Sequence, residues 1–473
     1  MNYIIQNSVV VGRNSIAESF YEPFPKLSFI NNNIFNDSWW KPSANGKKRI
    51  MLCGTYPIAS SNGYSKVVYY ISKHLAKFED IELTIYGFQN FVKTNDSEIR
   101  NNIPPNVKIH DAFAAENPKR NGFGELEISG YIKENPQDVI IIFNDSIVTS
   151  SIASNIVKDC WSQKKNFRLV SYMDQVYPYQ KKEYIKLLNT YFDSIVAFTP
   201  YWKEVASKLG IKKEMPIYTF PHGFDENLYH PIDMKICRMY YNIDEDAFTV
   251  LNLNRNQPRK RWDTTIIAWV EFVEKHYLAN VKGVKSDHTN KHTSRPVKLI
   301  IGTQMNGFWD INDVIENEVK FRDVPLEYVM KTIHSISMPQ QLSDREINIL
   351  YNACDVGVNS ADGEGYGLCG FEGAALGKAQ VSANIGGMKE FLNPQCAILI
   401  NPVMNIYLDN KSRGIAGKAE LTNPHDYAEA FWKYFSSPET VAKHGKRSRE
   451  NILTNYRWES LVEYFYKRVI PLL

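Results

Sequence analysis

The chain has 473 residues, of which 55 are Lys or Arg and 52 are Asp or Glu, giving a formal net charge of +3. Domains usually run about 100–200 residues, so two or three are expected, and near-neutrality at this size argues against a protein whose whole surface grips nucleic acid. Hydrophobic residues at 44% and charged residues at 23% supply real cores and exclude a disordered chain.

Residues 1–46 read as an N-terminal extension without a sustained period, in which Trp39 and Trp40 are expected to pack on the body, since a bare pair in water is costly. The first strong strand runs from Arg49 to Cys53 into Gly54. A loop of small and turn-forming residues follows, Thr55 to Gly63, and then an amphipathic stretch, Tyr64 to Lys77, with Val67, Val68, Ile71 and Leu75 at helical spacing. Leu83–Tyr86, Val139–Phe143, Leu169–Tyr172 and Ser194–Phe198 read as further strands with helical stretches between them. The pattern pauses near Pro221–Pro231 and restarts: a strand at Phe248–Leu253, a helix at Arg261–Val273, then strands at Val297–Ile301, Asp355–Asn359 and Ala379–Ser382. Strands alternating with helices imply parallel sheets. Two such series predict an α/β chain of two doubly wound domains facing a cleft, with ligands at the carboxyl ends of the strands. The polar, basic stretch 281–297 interrupts the second series as a surface insertion. Its His288 and His292 lack a third ligand and a rigid helix, so a solvated loop is the expectation. Tyr427 to Leu473 is helical and carries Trp432, Tyr434, Phe435, Tyr464 and Phe465. The boundaries expected are 47–230 for the first domain, 231–440 for the second and 441–473 for terminal helices.

Three loops carry candidate chemistry. SADGEGYGLCGFE, residues 360–372, follows a strand and opens a helix. Gly363, Gly365 and Gly367 let the backbone turn tightly and approach a ligand, and the N–H groups of a helix starting near Gly367 suit a phosphate. Glu364 in the loop and Glu372 on the helix can then face one ligand and accept hydrogen bonds from sugar hydroxyls; an ordinary loop charge and a dipole-favoured helix carboxylate are the competing reading. NLNRNQPRKR, residues 252–261, also sits at a strand's carboxyl end. Arg255 and Lys260 could neutralise a diphosphate, Arg as a fork and Lys as a point charge, against the plainer reading of a solvated basic turn. The loop from Gly54 to Tyr64 could approach a phosphate, yet it is neither GxGxxG nor a Walker motif.

Together these residues resemble the retaining glycosyltransferases of family 4, with the two-domain GT-B architecture. The family's pair of glutamates separated by seven residues around a Gly-aromatic-Gly turn reads here Glu364-Gly365-Tyr366-Gly367-Leu368 to Glu372. Its Arg and Lys five apart match Arg255 and Lys260. Pro221-His222-Gly223-Phe224-Asp225 with Pro231 matches the interdomain segment, Gly386-Gly387 with Glu390 matches a downstream Gly-Gly motif, and Gly63 matches the first-domain loop. The wording NRNQPRKR and YNACDVGVNSADGEGYGLC is similar to glycosyltransferases of chlorella viruses, which implies a viral enzyme acting in the host cytoplasm. The resemblance covers roughly residues 48–470 and is looser in the first domain. Arg261 stands where the family often has Gly, and a first-domain histidine of the family has no counterpart by motif; Asp174 and Asp145, each at a strand end, are candidates for sugar or acceptor contacts, with helix capping the competing role for both.

The resemblance implies a nucleotide diphosphate sugar as donor, GDP-mannose first and a UDP-sugar close behind, with no permanently bound cofactor. Arg255 and Lys260 would meet the charge growing on the departing diphosphate, together with the amides near Gly367. Glu372 would hold the ribose hydroxyls and Glu364 the sugar, while the leaving phosphate oxygen assists deprotonation of the acceptor on the same face. The cations replace a divalent metal, and no Asp-x-Asp string is present. The acceptor would be a glycan or lipid-linked hydroxyl, and C-terminal helices would cross back to the first domain. A nucleotide-sugar epimerase, a glycan phosphorylase, a DNA-modifying glycosyltransferase and a non-catalytic carbohydrate-binding scaffold share the architecture; the retained Arg255, Lys260, Glu364 and Glu372 favour transfer. Lys66, Lys73 and Lys77 on the first helix raise a weak peripheral membrane contact, against the plainer reading of a solvated face. The six cysteines, Cys53, Cys160, Cys237, Cys354, Cys369 and Cys396, form no CxxC pair, which fits a reducing compartment. No segment approaches the roughly 20 apolar residues of a membrane span and the N-terminus does not read as a signal peptide, so a soluble, cytoplasmic protein is expected.

Overall fold

The computed structural model describes residues 39–58, 62–91, 100, 102–283, 294–336, 342–408 and 417–473. Most of the 1–46 extension, His288 and His292 with most of the basic insertion, and the centre of the Gly54–Tyr64 loop lie outside the described residues. The chain divides into two compact units. The first takes the described residues up to His222, those of 407–418, and 458–473; the second takes 223–406 and 419–457.

In the first unit, β1 (Lys48–Thr55) leads through α1 (Gly63–Leu75) to β2 (Ile81–Phe88) and β3 (Lys108–Asp111), then to β4 (Val139–Asp145), α2 (Ser146–Cys160), β5 (Arg168–Asp174), β6 (Ser194–Ala197) and β7 (Ile217–Thr219). The sheet order is β3-β2-β1-β4-β5-β6-β7, and every described pairing is parallel. Both faces are covered by helices, which is why β1 and β4 read as unbroken apolar runs; Ile50, Met51, Cys53, Ile140 and Ile142 are fully buried. α1 starts because Asn62 caps it, accepting from the Ser65 amide at 2.8 Å, and it buries Val67, Val68, Ile71 and Leu75. The edge strands β3 and β7 went unread because an edge needs no apolar run: the residues of β3 are all part-exposed or exposed.

Trp39 and Trp40 do pack on this unit. Trp39 lies 6.4 Å from Phe167, ring to ring, and the Trp40 indole donates to the Gln137 carbonyl. The three lysines of the Tyr64–Lys77 stretch differ in their surroundings. Lys66 is buried, Lys73 lies over Tyr69 and Tyr70, and Lys77 pairs with Glu459 at 2.7 Å. Among the described residues no helix is long and apolar enough to cross a membrane.

In the second unit, β8 (Phe248–Asn252) is followed by α3 (Trp262–Asn280), β9 (Val297–Ile301), β10 (Ile333–Ser335), α4 (Asp344–Asn352), β11 (Val356–Asn359), α5 (Leu368–Ala375), β12 (Ala379–Ala383), β13 (Ile398–Ile400), α6 (Pro424–Ser436) and α7 (Pro438–Asn455). Its order is β10-β9-β8-β11-β12-β13, the doubly wound arrangement in which the winding direction reverses between the first and fourth strands. The core joins α3 to α6, with Trp269 5.9 Å from Phe431 and Phe272 5.6 Å from Phe435.

The last helix, α8 (Trp458–Arg468), belongs to the first unit. Trp458 stacks on Tyr70 at 5.5 Å and Phe465 on Phe220 at 4.5 Å. The return therefore begins at Trp458 and not at residue 441: α7 stays with the second unit, where Gly445 presses so closely on the turn after α5 that a Cβ there would lie 1.9 Å from the Gly377 carbonyl oxygen.

Candidate active site

The site of the second unit is assembled by two loops that leave neighbouring strands. β8 and β11 pair directly, so the segment after β8 and the segment after β11 emerge side by side at the carboxyl edge. Ser360 ties them, donating to the Arg261 carbonyl at 2.9 Å and lying 2.6 Å from the Thr265 hydroxyl. The Asp362 amide donates to the Arg259 carbonyl at 2.9 Å. A short 3-10 turn, Pro258–Lys260, then aims Arg259 and Lys260 at the loop opposite.

There Lys260 forms a close ion pair with Glu364. Both are buried, at 8% and 6% exposure. Arg259 adds a second cation, its Nη1 lying 3.4 Å from the same Oε2 and 3.0 Å from the Gly363 carbonyl to which it donates. Burial alone would push the Glu364 carboxyl up; the charges of Lys260 and Arg259 and a hydrogen bond from Asn359 overcome this and hold it at about 2. Burial also draws the Lys260 ammonium below its ordinary value, against the pull of Glu364. The net result is an ionised carboxylate inside the fold, fixed by two cations.

The turn that carries Glu364 is held from below. Gly367 takes φ +89° as the residue before α5, a left-handed conformation that glycine adopts without strain. The Gly387 amide donates to the Glu364 carbonyl at 3.0 Å, and a Cβ on Gly387 would lie 2.1 Å from the Gly365 oxygen. The downstream Gly-Gly motif is thus a floor for the Glu364–Gly367 turn. Tyr366 packs its ring against Phe371 and Phe391 at 5.3 and 5.6 Å, so its side chain belongs to this floor. Leu368 is the first residue of α5 and half-buried. Glu372, one turn further on, accepts from the Tyr351 hydroxyl at 2.8 Å.

Arg255 is exposed, whereas Lys260 and Glu364 are buried. Its carbonyl accepts from the Trp262 indole at 3.3 Å, and the next residue, Asn256, clasps the segment after β9 through the Gln304 and Trp309 carbonyls. The cation that the fold brings to Glu364 beside Lys260 is Arg259, which spacing alone did not single out. Tyr351 was also unmarked, since it meets Glu372 from 21 residues away. Among the described residues, no cluster of three or more His, Cys, Asp or Glu is disposed to hold a metal ion.

In the first unit, Gly63 opens α1. Asp145 is the cap of α2: its Oδ1 accepts from the amides of Ile147 and Val148, both at 3.0 Å. Asp174, in register beside it on β5, accepts from the Tyr64 hydroxyl. Of the two, Asp145 takes the capping role. His222 of the Pro221–Asp225 segment is enclosed by Phe198, Phe143, Tyr172 and Trp458, the nearest ring at 4.5 Å, and burial holds its imidazole down at about 3.

No family model and no curated protein sequence matches the chain. Solved structures do. Sucrose-phosphate synthase from Thermosynechococcus elongatus superposes with a TM-score of 0.65 over 90% of this chain and 100% of that one, at 14% identity. Anabaena HepE, solved in complex with UDP-glucose, gives 0.62 over 90% and 100%, at 15% identity. WaaG, a glycosyltransferase involved in lipopolysaccharide biosynthesis, gives 0.57 over 88% and 97%, at 13% identity. The fold is GT-B. Within this GT-B chain, Lys260 follows β8 and Glu364 follows β11, the two strands between which the second sheet reverses its winding. Such a switch point is where open α/β sheets bind ligands.

Proposed function

We propose that the chain is a retaining glycosyltransferase of family 4 that moves a sugar from a nucleotide diphosphate sugar to an acceptor hydroxyl, with the second unit holding the donor and the first the acceptor. The observation that carries this reading is the buried Lys260–Glu364 pair at the winding reversal of the second sheet, directly before the N-terminus of α5. A nucleotide diphosphate supplies the anion that a buried ammonium and the N-terminus of a helix would receive. A sugar supplies the hydroxyl donors that an ionised Glu364 would accept.

In this reading Lys260, with Arg255 at the exposed edge and the amides after Gly367, meets the negative charge that develops on the departing diphosphate. Such preorganised charge is often the largest catalytic contribution. Glu372, oriented by Tyr351, takes the ribose hydroxyls. Glu364 orients the sugar and faces cationic character at the anomeric carbon. The leaving phosphate oxygen takes the acceptor proton on the face it departs from, so configuration is retained and no protein nucleophile is needed. The reading assigns no role to a metal ion. GDP-mannose and UDP-sugars are the candidate donors, and the UDP-glucose in the HepE structure supports testing UDP-sugars first. Gly63 is assigned to the donor together with Gly365, Tyr366, Gly367 and Leu368, and Asp174 to a sugar or acceptor contact; Asp145, whose Oδ1 caps α2, is the weaker candidate for such a contact.

Calorimetry and thermal melts with UDP, GDP, UDP-glucose and GDP-mannose test the donor site, because a ligand bound by the native state raises its stability. At least one nucleotide should bind, and Lys260→Ala and Glu364→Ala should abolish turnover of the donor that binds. Silence with all four compounds would overturn the donor assignment, and binding without turnover over a panel of sugar acceptors would make the protein a carbohydrate-binding scaffold.

A further inference from the structure

Resting on that donor-site reading, we infer that Arg259 is a positioning residue that keeps Glu364 oriented and charge-compensated while Lys260 turns to the diphosphate. Lys260 and Arg259 converge on one oxygen, Oε2 of Glu364. They differ in how they are held. Lys260 is a single ammonium on a flexible stem, which can change partner by rotating. Arg259 is fixed to the acidic loop twice over: its Nη1 donates to the Gly363 carbonyl at 3.0 Å, and its own carbonyl accepts from Asp362 at 2.9 Å. Its planar fork therefore moves only if the loop moves.

This difference resolves a conflict within the site. A donor diphosphate needs the Lys260 ammonium, yet Glu364 is buried and holds it. Were Lys260 the sole counter-ion, its departure would leave a buried, uncompensated carboxylate, which is strongly unfavourable. With Arg259 remaining 3.4 Å away, the carboxylate stays ionised after the exchange. Glu364 is then released to accept from sugar hydroxyls in the orientation that the Gly363 anchor fixes. Diphosphate arrival and sugar recognition become coupled steps, and Arg259 acts in the second.

The inference separates UDP from UDP-glucose, or GDP from GDP-mannose if the wild type takes guanine. In Arg259→Gln, calorimetric affinity for the free nucleoside diphosphate should stay within about twofold of wild type, while kcat and the affinity gained from the sugar fall about tenfold or more, as misplacement of a reacting group commonly costs. Arg259→Lys, which keeps the charge and loses the fork, should recover part of the loss. Equal weakening of diphosphate and sugar nucleotide would overturn the inference and make Arg259 a phosphate ligand. Unchanged kinetics in both variants would overturn it as well. These results leave the donor-site reading standing, whereas a wild type that binds no nucleotide removes both. Thermal melts of each variant separate loss of fold from loss of orientation.

Discussion

Replacing Glu364 by Gln keeps the shape of the side chain and deletes the charge that neutralises Lys260. The carboxyl stands at about 2 in the fold against an ordinary 4.5, and at about 1.4 kcal/mol per pH unit the ionised form contributes about 3 kcal/mol to folding. Because the residue is almost wholly buried, solvent screening removes little of this. Breaking one side of a buried pair typically costs about 3–5 kcal/mol, which agrees. The sign follows from the depressed value: the contribution is full above pH 4.5 and is lost as the pH falls through 2, where the folded state also protonates. Urea unfolding of wild type and Glu364→Gln, followed by circular dichroism, should give a difference of about 3 kcal/mol at pH 7, roughly half of it at pH 3 and little at pH 2. Lys260→Met combined with Glu364→Gln should recover part of the loss, since no buried unpaired ammonium then remains. A difference under about 0.5 kcal/mol at pH 7, typical of an unremarkable surface change, or one that does not vary with pH, would refute the electrostatic account.

Tyr351→Phe removes the donor to the Glu372 carboxylate and should cost about 1.5–3 kcal/mol of stability, as for hydrogen bonds to charged groups, with weaker nucleotide affinity by calorimetry. Gly387→Ala drives a Cβ to 2.1 Å from a backbone oxygen and should lose about 1–3 kcal/mol in thermal melts along with transfer activity; Gly130→Ala, where a Cβ meets nothing within 4 Å, serves as the control and should be neutral or stabilising by up to about 1 kcal/mol. Burial holds His222 at about 3 against an ordinary 6.5, so its stabilising contribution is present above pH 6.5 and drains away as the pH falls toward 3. His222→Phe, in a pocket of aromatic rings, should flatten the acid limb of the stability curve by up to about 1.4 kcal/mol per pH unit; an unchanged slope in denaturant titrations would refute it.

Much of this was legible in the sequence for a physical reason: strands covered on both faces must be apolar throughout, so β1, β4 and β8 announce themselves. The edge strands β3 and β10 carry mostly polar or half-exposed residues and leave no such mark. Lys260, Glu364 and Glu372 could be singled out as candidates because local spacing and the turn that glycine permits mark them. Arg259 was not, because its role exists only once β8 and β11 are neighbours and two loops 104 residues apart touch. Arg255, picked out by the same spacing, is exposed where Lys260 is buried, a difference that spacing does not carry. Asp145 takes the cap that was weighed beside its other candidate role, as an Asp directly before a helix commonly does.

The return of α8 to the first unit has a consequence for synthesis on the ribosome. The rings of Trp458 and Phe465 complete a core begun by Tyr70 and Phe220, so those surfaces stay open until the end of the chain has been made. The second unit, contained within residues 223–457 apart from 407–418, can finish first. The order of completion in the cell is therefore the reverse of the order of translation. A nascent chain halted before Trp458 would present the unfinished apolar face of its first unit to chaperones, however well its second unit had folded.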